Sequence, residues 1–118
     1  MKHLRKISDD RIKTDEAYIE SGLETILKIK PEIYTKHGKR ESGVIAQQLW
    51  YQVPELRHLV ETDATPDEHC HIGDDPTQDP DYSSWGDGIA SVDYQGIIPY
   101  LIAAIQELNA RLPLVASE

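Results

Sequence analysis

Apolar positions in the first third of the chain predict a short helix. Leu23, Ile26 and Leu27 recur at intervals of three and four residues, which places them on one helical face. Ser21 and Glu24 precede this run with the spacing of a capping box, and Pro31 follows it. The pattern therefore predicts a helix that begins near Ser21 and ends before Pro31.

The next segment alternates in the manner of a β-hairpin. Residues 32–36 carry Ile33 and Tyr34 and predict a strand, residues 37–39 (His-Gly-Lys) predict the turn, and residues 41–46 predict the return strand. Residues 47–52 then predict a short helix that stops at Pro54, and Leu56, Leu59 and Val60 suggest one more short element.

Residues 62–88 differ in character from what precedes them. Three prolines, three glycines and many aspartates predict a long loop or insertion, and a loop of this length in a small domain is usually functional or mobile. Residues 89–94 return to a strand pattern, which Gly96 ends.

The best-patterned segment is a C-terminal helix that opens near Ile97–Pro99, where proline fits the first turn. Its apolar residues follow a heptad spacing: Ile98, Leu101, Ile105, Leu108, Leu112 and Val115. Pro113 is expected to end the helix near Arg111. Two interpretations remain open, a helix packed on its own domain and a helix that meets copies of itself. Together the elements predict an α+β fold with short antiparallel strands and two or three helices.

Composition narrows the classes of function. The chain has 118 residues and a formal net charge of -9, so it is one acidic domain. An acidic balance disfavours the phosphate backbone of nucleic acid and an anionic membrane surface, and no apolar stretch is long enough to span a bilayer. The single cysteine, Cys70, excludes an internal disulfide.

Candidate chemistry lies near the start of the chain. The Ser8 hydroxyl becomes a nucleophile only if a base takes its proton, and a lysine amine does so only when it is neutral. Lys13 lies five residues away, a spacing that brings the two side chains together only across a turn, and Asp9-Asp10 is a turn sequence. Arg11 could supply a neighbouring cation. Alone, this spacing is more typical of a solvated, charged entry to the first helix than of a catalytic pair.

Three blocks of sequence add context. Residues 8–15 read SDDRIKTD and resemble the S-D-x-R-x-K-x-D signature of the peptidase S74 family, the intramolecular chaperone domains of phage tail spikes and fibres. Residues 43–47 (GVIAQ), followed by 53–56 (VPEL), resemble the family's second block. Residues 92–99 (VDYQGIIP) resemble its entry to the terminal helix, which residues 104–108 continue.

The resemblance implies a role and a site. In this family the domain assists trimerisation and folding of a preceding β-rich shaft and then cuts itself off before the signature serine. Here that bond is Ile7–Ser8, with Ser8 as nucleophile and Lys13 as general base. Residues 1–7 are then a remnant of the shaft and residues 8–118 the chaperone domain, working in the host cytoplasm during virion assembly. Asp9, Arg11 and Gln47 are candidate supporting residues, the last as an oxyanion donor.

The same resemblance implies a homotrimer held by the terminal helix through Ile98, Leu101, Ile105 and Leu108. Isoleucine and leucine alternating in a parallel seam favour two strands rather than three, so the trimer rests on the resemblance. The partners are then copies of the chain and the shaft, without nucleic acid, membrane or cofactor. An uncleaved trimerisation module is the alternative.

A metal- or partner-binding loop is the remaining hypothesis. His69, Cys70 and His71 lie among acidic residues, but adjacent ligands chelate poorly and no second cluster completes a tetrahedral set. No metal is therefore expected. Trp50 and Tyr51 are expected to pack in a core that lacks phenylalanine.

Overall fold

The computed structural model describes residues 6–113. Its regular elements, in chain order, are helix α1 (Gly22–Leu27), strands β1 (Glu32–Lys36) and β2 (Lys39–Gly43), helix α2 (Ala46–Gln52), strands β3 (Val60–Glu61) and β4 (Ser91–Val92), and helix α3 (Ile98–Arg111). Short 3-10 turns lie at Asp10–Ile12, Pro54–Leu59, Ser83–Trp85 and Tyr94–Ile97. The predicted α+β class is confirmed.

The hairpin forms where the sequence predicts it. β1 pairs antiparallel with β2 from Glu32↔Gly43 to Lys36↔Lys39, which leaves His37 and Gly38 as the two turn residues. Both have positive φ, 52° and 77°, and two left-handed residues match the twist of the flanking strands. The return strand begins at Lys39 rather than Glu41 because the turn needs only two residues. It ends at Gly43, since Ala46 already belongs to α2.

A second sheet contains only two short strands. β3 and β4 pair only through Val60↔Val92 and Glu61↔Ser91, so the strand expected over residues 89–94 has two residues. Tyr94 already begins the 3-10 turn that leads into α3. Residues 62–82 contain no helix or strand, as their proline and aspartate content predicts.

The core lies between α2, the 3-10 turn that follows it, and the entry to α3. Leu49, Val53 and Leu56 are completely buried, and Trp85 closes the cluster from the long loop. Trp85 meets the rings of Trp50 and Tyr51 edge to face, and its Nε1 donates a hydrogen bond of 3.1 Å to the Tyr51 hydroxyl. These aromatic residues pack the core, as expected from the sequence.

Helices α1 and α3 pack closely because α1 starts with a glycine. A Cβ on Gly22 would lie 2.6 Å from Ala103 Cβ and 3.0 Å from the Ala104 backbone nitrogen, so only glycine lets the backbones approach this far. The predicted capping box does not form, since the Ser21 side chain makes no cap hydrogen bond. Instead the Leu23 N–H donates to Glu107 Oε2 at 3.1 Å, and a carboxylate of α3 caps α1.

No helix within residues 6–113 is long and apolar enough to cross a membrane. Val115, the last position of the predicted heptad, and residues 1–5 of the predicted shaft remnant lie outside the described residues.

Candidate functional site

The site residues nearest the start of the chain lie on an exposed arm. Every residue from 6 to 20 is exposed except Ile19, which is half-buried. The arm contains one 3-10 turn, Asp10–Ile12, which Asp9 caps by accepting a hydrogen bond from the Arg11 N–H. The Ile12 N–H donates to the Asp9 carbonyl and the Lys13 N–H to the Asp10 carbonyl, which closes the turn. Asp9-Asp10 therefore forms the turn that its sequence predicts.

This turn brings Ser8 and Lys13 together. The Lys13 Nζ donates a hydrogen bond to the Ser8 Oγ at 2.8 Å. A distance of this size is what proton transfer between a hydroxyl and an amine requires. Both side chains are exposed to solvent, and Ile7, on the other side of the predicted scissile bond, is 78% exposed.

Arg11 has a partner of its own. Its guanidinium contacts the Asp9 carboxylate through two hydrogen bonds, of 2.7 Å and 3.1 Å. These bonds lower the pKa of the Asp9 carboxyl and raise the pKa of Arg11, and the charge of Lys13 adds a smaller lowering at Asp9. Arg11, which the sequence suggests as a cationic neighbour of Lys13, is therefore already paired with the Asp9 carboxylate.

Acidic side chains surround Lys13. A hydrogen bond with Asp10 raises the pKa of the Glu16 carboxyl, while the charge of Lys13 acts on it in the opposite direction. Asp9 and Glu16 thus both lie near enough to feel the lysine charge. The immediate surroundings of the Ser8–Lys13 pair are acidic and open to water in the single chain.

Gln47 lies elsewhere in the fold. It is on α2 and lines the cavities between the hairpin and the long loop, beside Tyr82. No hydrogen bond joins it to residues 8–13 in the described part of the chain. A role for Gln47 as an oxyanion donor would therefore need a neighbouring copy or a rearrangement of the arm.

The heptad residues of α3 are exposed rather than packed on their own domain. Ile98, Leu101, Ile105, Leu108 and Leu112 are between 43% and 66% exposed. The face of α3 that packs on α1 instead places Ala103 and the buried Ala104 against Gly22. Of the two interpretations of the heptad, packing within the domain does not account for these residues.

The long loop holds no cluster of ligating side chains. Between residues 6 and 113, His, Cys, Asp and Glu side chains form no group of three or more that could hold a metal ion. His69 and Glu68 are 3.9 Å apart and almost fully exposed, and Cys70 is a half-buried free thiol.

Sequence reasoning missed two structural features of the arm and of α3. The Asp10–Glu16 contact is not visible from spacing, since it spans the left-handed residue Asp15, whose φ is 55°. Ile102 is half exposed beside the heptad row, although the spacing rule omits it. A wheel of α3 that counted all apolar residues would have found Ile102.

The described residues form an α+β domain with a solvent-exposed serine–lysine pair and an exposed apolar helix face. The Peptidase_S74 family model, described as chaperone of endosialidase, matches residues 8–58. The match confirms the predicted family over residues 8–58, a little less than half of the chain. The matched segment contains the first two motif blocks, while residues 92–99 lie outside it. No curated protein shows a significant match to the chain.

Proposed function

We propose that this domain is a self-releasing intramolecular chaperone. The family supplies the chaperone role, and the proposal adds that three copies assemble, assist folding of a β-rich shaft upstream in the same polypeptide, and cut the Ile7–Ser8 bond. This maturation takes place in the host cytoplasm during virion assembly. The single observation that carries the proteolytic part is the 2.8 Å hydrogen bond between Lys13 Nζ and Ser8 Oγ.

The chemistry follows from that pair. Neutral Lys13 takes the Ser8 hydroxyl proton while Ser8 Oγ forms a bond to the Ile7 carbonyl carbon. The carbon–nitrogen bond between Ile7 and Ser8 then breaks, and Lys13 returns the proton to the departing Ser8 nitrogen. An ester now joins Ile7 to Ser8 Oγ. Water, deprotonated by the same amine, hydrolyses it to an Ile7 carboxylate and restores the Ser8 hydroxyl.

Assembly has to change the surroundings of the pair for this to occur. A base needs its neutral form, and burial favours a neutral amine over an ammonium. Ser8 and Lys13 are exposed in the single chain, and the arm that carries them has exposed apolar residues, Ile7 and Ile12. The shaft or a neighbouring copy would cover these residues and exclude water from the pair. Cleavage then depends on assembly, which delays release until the shaft has folded.

The terminal helix supports the trimerisation part. Its heptad residues are exposed in one chain, and heptad spacing is the pattern of helices that associate as coiled coils. Buried at an interface, each of these side chains would contribute about 1.5–3 kcal/mol relative to full exposure, less the fraction already covered.

Intact-mass measurement of the polypeptide with its upstream shaft tests the proposal. Wild type is expected to split into two species, the smaller beginning at Ser8, whereas Ser8→Ala and Lys13→Ala stay whole. Ser21→Ala and Lys39→Ala are matched controls, since both residues are exposed and make no side-chain hydrogen bond that stabilises the fold; both should cleave as wild type does. A Lys13→Ala protein that cleaves at the wild-type rate would refute the dyad.

An uncleaved trimerisation module is the second candidate. The solvent exposure of Ser8 and Lys13 favours it, because the exposed apolar face of α3 does not involve either residue. Wild type that remains whole as a folded trimer, with its shaft attached, would establish this function in place of the first.

A further inference from the structure

The outer face of α3 is wider than a two-row seam. Three rows of residues run along it at intervals of seven, namely Ile98–Ile105–Leu112, Leu101–Leu108 and Ile102–Asn109. The apolar members of all three rows are at least 43% exposed. The opposite face is occupied by α1, through Gly22 against Ala103 and Ala104.

An apolar groove adjoins one flank of this face. It has a volume of about 430 Å³ and lies between α1, the end of β2 and the start of α3. Leu27, Val44, Tyr94, Ile97 and Leu101 are among its lining residues, and none of its lining residues is charged. Leu27 is 74% exposed at the rim, so the groove is open in the single chain.

Ile102 lies on the other flank at the same height. Successive residues of an α-helix are about 100° apart and rise about 1.5 Å. Leu101 and Ile102 therefore stand nearly level along α3, on opposite sides of the row that contains Ile98 and Ile105. Leu101 points to the groove, and Ile102, 51% exposed, is not part of its lining.

We propose that Ile102 of one copy packs into this groove on the next copy, in a parallel ring of identical interfaces. The inference rests on the proposed trimerisation and names the surface through which it occurs. In a parallel ring each helix turns one flank to the opposite flank of its neighbour at the same height, and a contact between two different patches closes without leaving an unpaired end. A side chain and a groove at one level on opposite flanks meet this requirement.

The occupant is a second copy because the geometry favours parallel self-association. If two α3 helices were instead aligned antiparallel over their full length, Ile102 of one copy would lie beside Glu107 of its neighbour, away from the neighbour's groove. Both surfaces are free of charge, so like copies do not repel one another there. The seven-residue rows continue beyond the groove, which gives the neighbouring helix a surface along most of α3.

Disulfide trapping tests the contact. In a Cys70→Ser background, Leu27→Cys combined with Ile102→Cys is expected to give a covalent trimer on a non-reducing denaturing gel after mild oxidation. Leu27→Cys alone and Ile102→Cys alone are the matched controls, since each carries only one half of the proposed contact; both should remain monomeric on the same gel. Native mass spectrometry of the reduced proteins reports whether each is a trimer before oxidation. A reduced trimer that does not cross-link, or a control that cross-links equally, overturns the inference.

A second pair of variants does not depend on a disulfide. Ile102→Asp should abolish the trimer at a chain concentration where wild type is fully assembled, while Gln106→Asp, on the exposed side of the same helix, should keep it. An Ile102→Asp protein that remains a trimer also overturns the inference. Wild-type assembly and cleavage are measured alongside: if wild type assembles and cleaves while the variants contradict the contact, only this inference fails, whereas a monomeric wild type removes the proposed trimerisation itself.

Discussion

The close approach of α1 and α3 makes Gly22→Ala a sensitive test of the packing. The added Cβ would lie 2.6 Å from Ala103 Cβ and 3.0 Å from both the Ala104 nitrogen and the Tyr100 carbonyl oxygen. Two of these three atoms are backbone, so no rotamer change relieves the contact. Carbon atoms prefer about 3.5–4.0 Å, and α1 would have to retreat by about 1 Å.

Two opposing effects decide the magnitude. Alanine improves helix propensity over glycine by up to about 1 kcal/mol, and less in a first turn. Overpacking a close contact costs about 1–3 kcal/mol, and the retreat of α1 also stretches the Leu23–Glu107 hydrogen bond. The net expectation is a loss of about 1–2 kcal/mol in the free energy of unfolding, a factor of about 5–30 in the folded-to-unfolded ratio.

Urea unfolding followed by tryptophan fluorescence measures this loss, since Trp85 is buried in the core. All proteins are compared at one chain concentration, because self-association raises apparent stability. Gly88→Ala is the matched control: a Cβ there meets nothing within 4 Å, so the change should be neutral or stabilising by about 0.4–1 kcal/mol. A Gly22→Ala protein at least as stable as wild type would refute the packing argument.

Two further predictions concern side chains that join distant segments. Glu107→Ala should destabilise the fold by about 0.5–2 kcal/mol, because it removes both the acceptor for the Leu23 N–H and the negative charge at the start of α1. Glu107→Gln should destabilise it by less, because glutamine keeps the acceptor and loses only the charge. Equal losses of the two variants in urea unfolding would contradict this account of the cap. The hydrogen bond from Lys28 lowers the pKa of Glu55, helped by the Thr25 hydroxyl. The ionised Glu55 carboxylate therefore stabilises the fold above the pKa that Glu55 has in the unfolded chain. This stabilisation is lost as the pH falls through the lowered pKa of Glu55 in the folded chain. Between about pH 5 and pH 3, the free energy of unfolding should fall less steeply in Glu55→Gln than in wild type. An equal fall in the two proteins would show that the ionisation of Glu55 does not stabilise the fold.

Local sequence signals predicted the elements whose causes are local. The hairpin followed from His37-Gly38, which tolerate positive φ, and the turn tendency of Asp9-Asp10 allowed the approach of Ser8 and Lys13 without requiring it. The heptad of α3 followed from spacing alone. In each case the residues that determine the structure lie within a few positions of one another.

Features that depend on distant residues were not predictable in this way. The capping box at Ser21 was wrong because Glu107, 84 positions beyond Leu23 in sequence, provides the cap. Tyr94 left the predicted strand for a turn, where its hydroxyl accepts from the Val44 N–H at 3.0 Å. The pairing of Arg11 with Asp9 is local, but the spacing alone did not favour Asp9 over Lys13 as the neighbour of Arg11.

Trapping the ester between Ile7 and Ser8 tests the central claim most directly. Hydroxylamine added to the polypeptide as it matures with its shaft should divert the intermediate, so that intact mass shows an upstream fragment ending in a hydroxamate at Ile7 and a released domain beginning at Ser8. Ser8→Ala and Lys13→Ala should give neither fragment. A wild-type cut at another bond, or a hydroxamate at Ile7 that also forms in Ser8→Ala, would contradict the account.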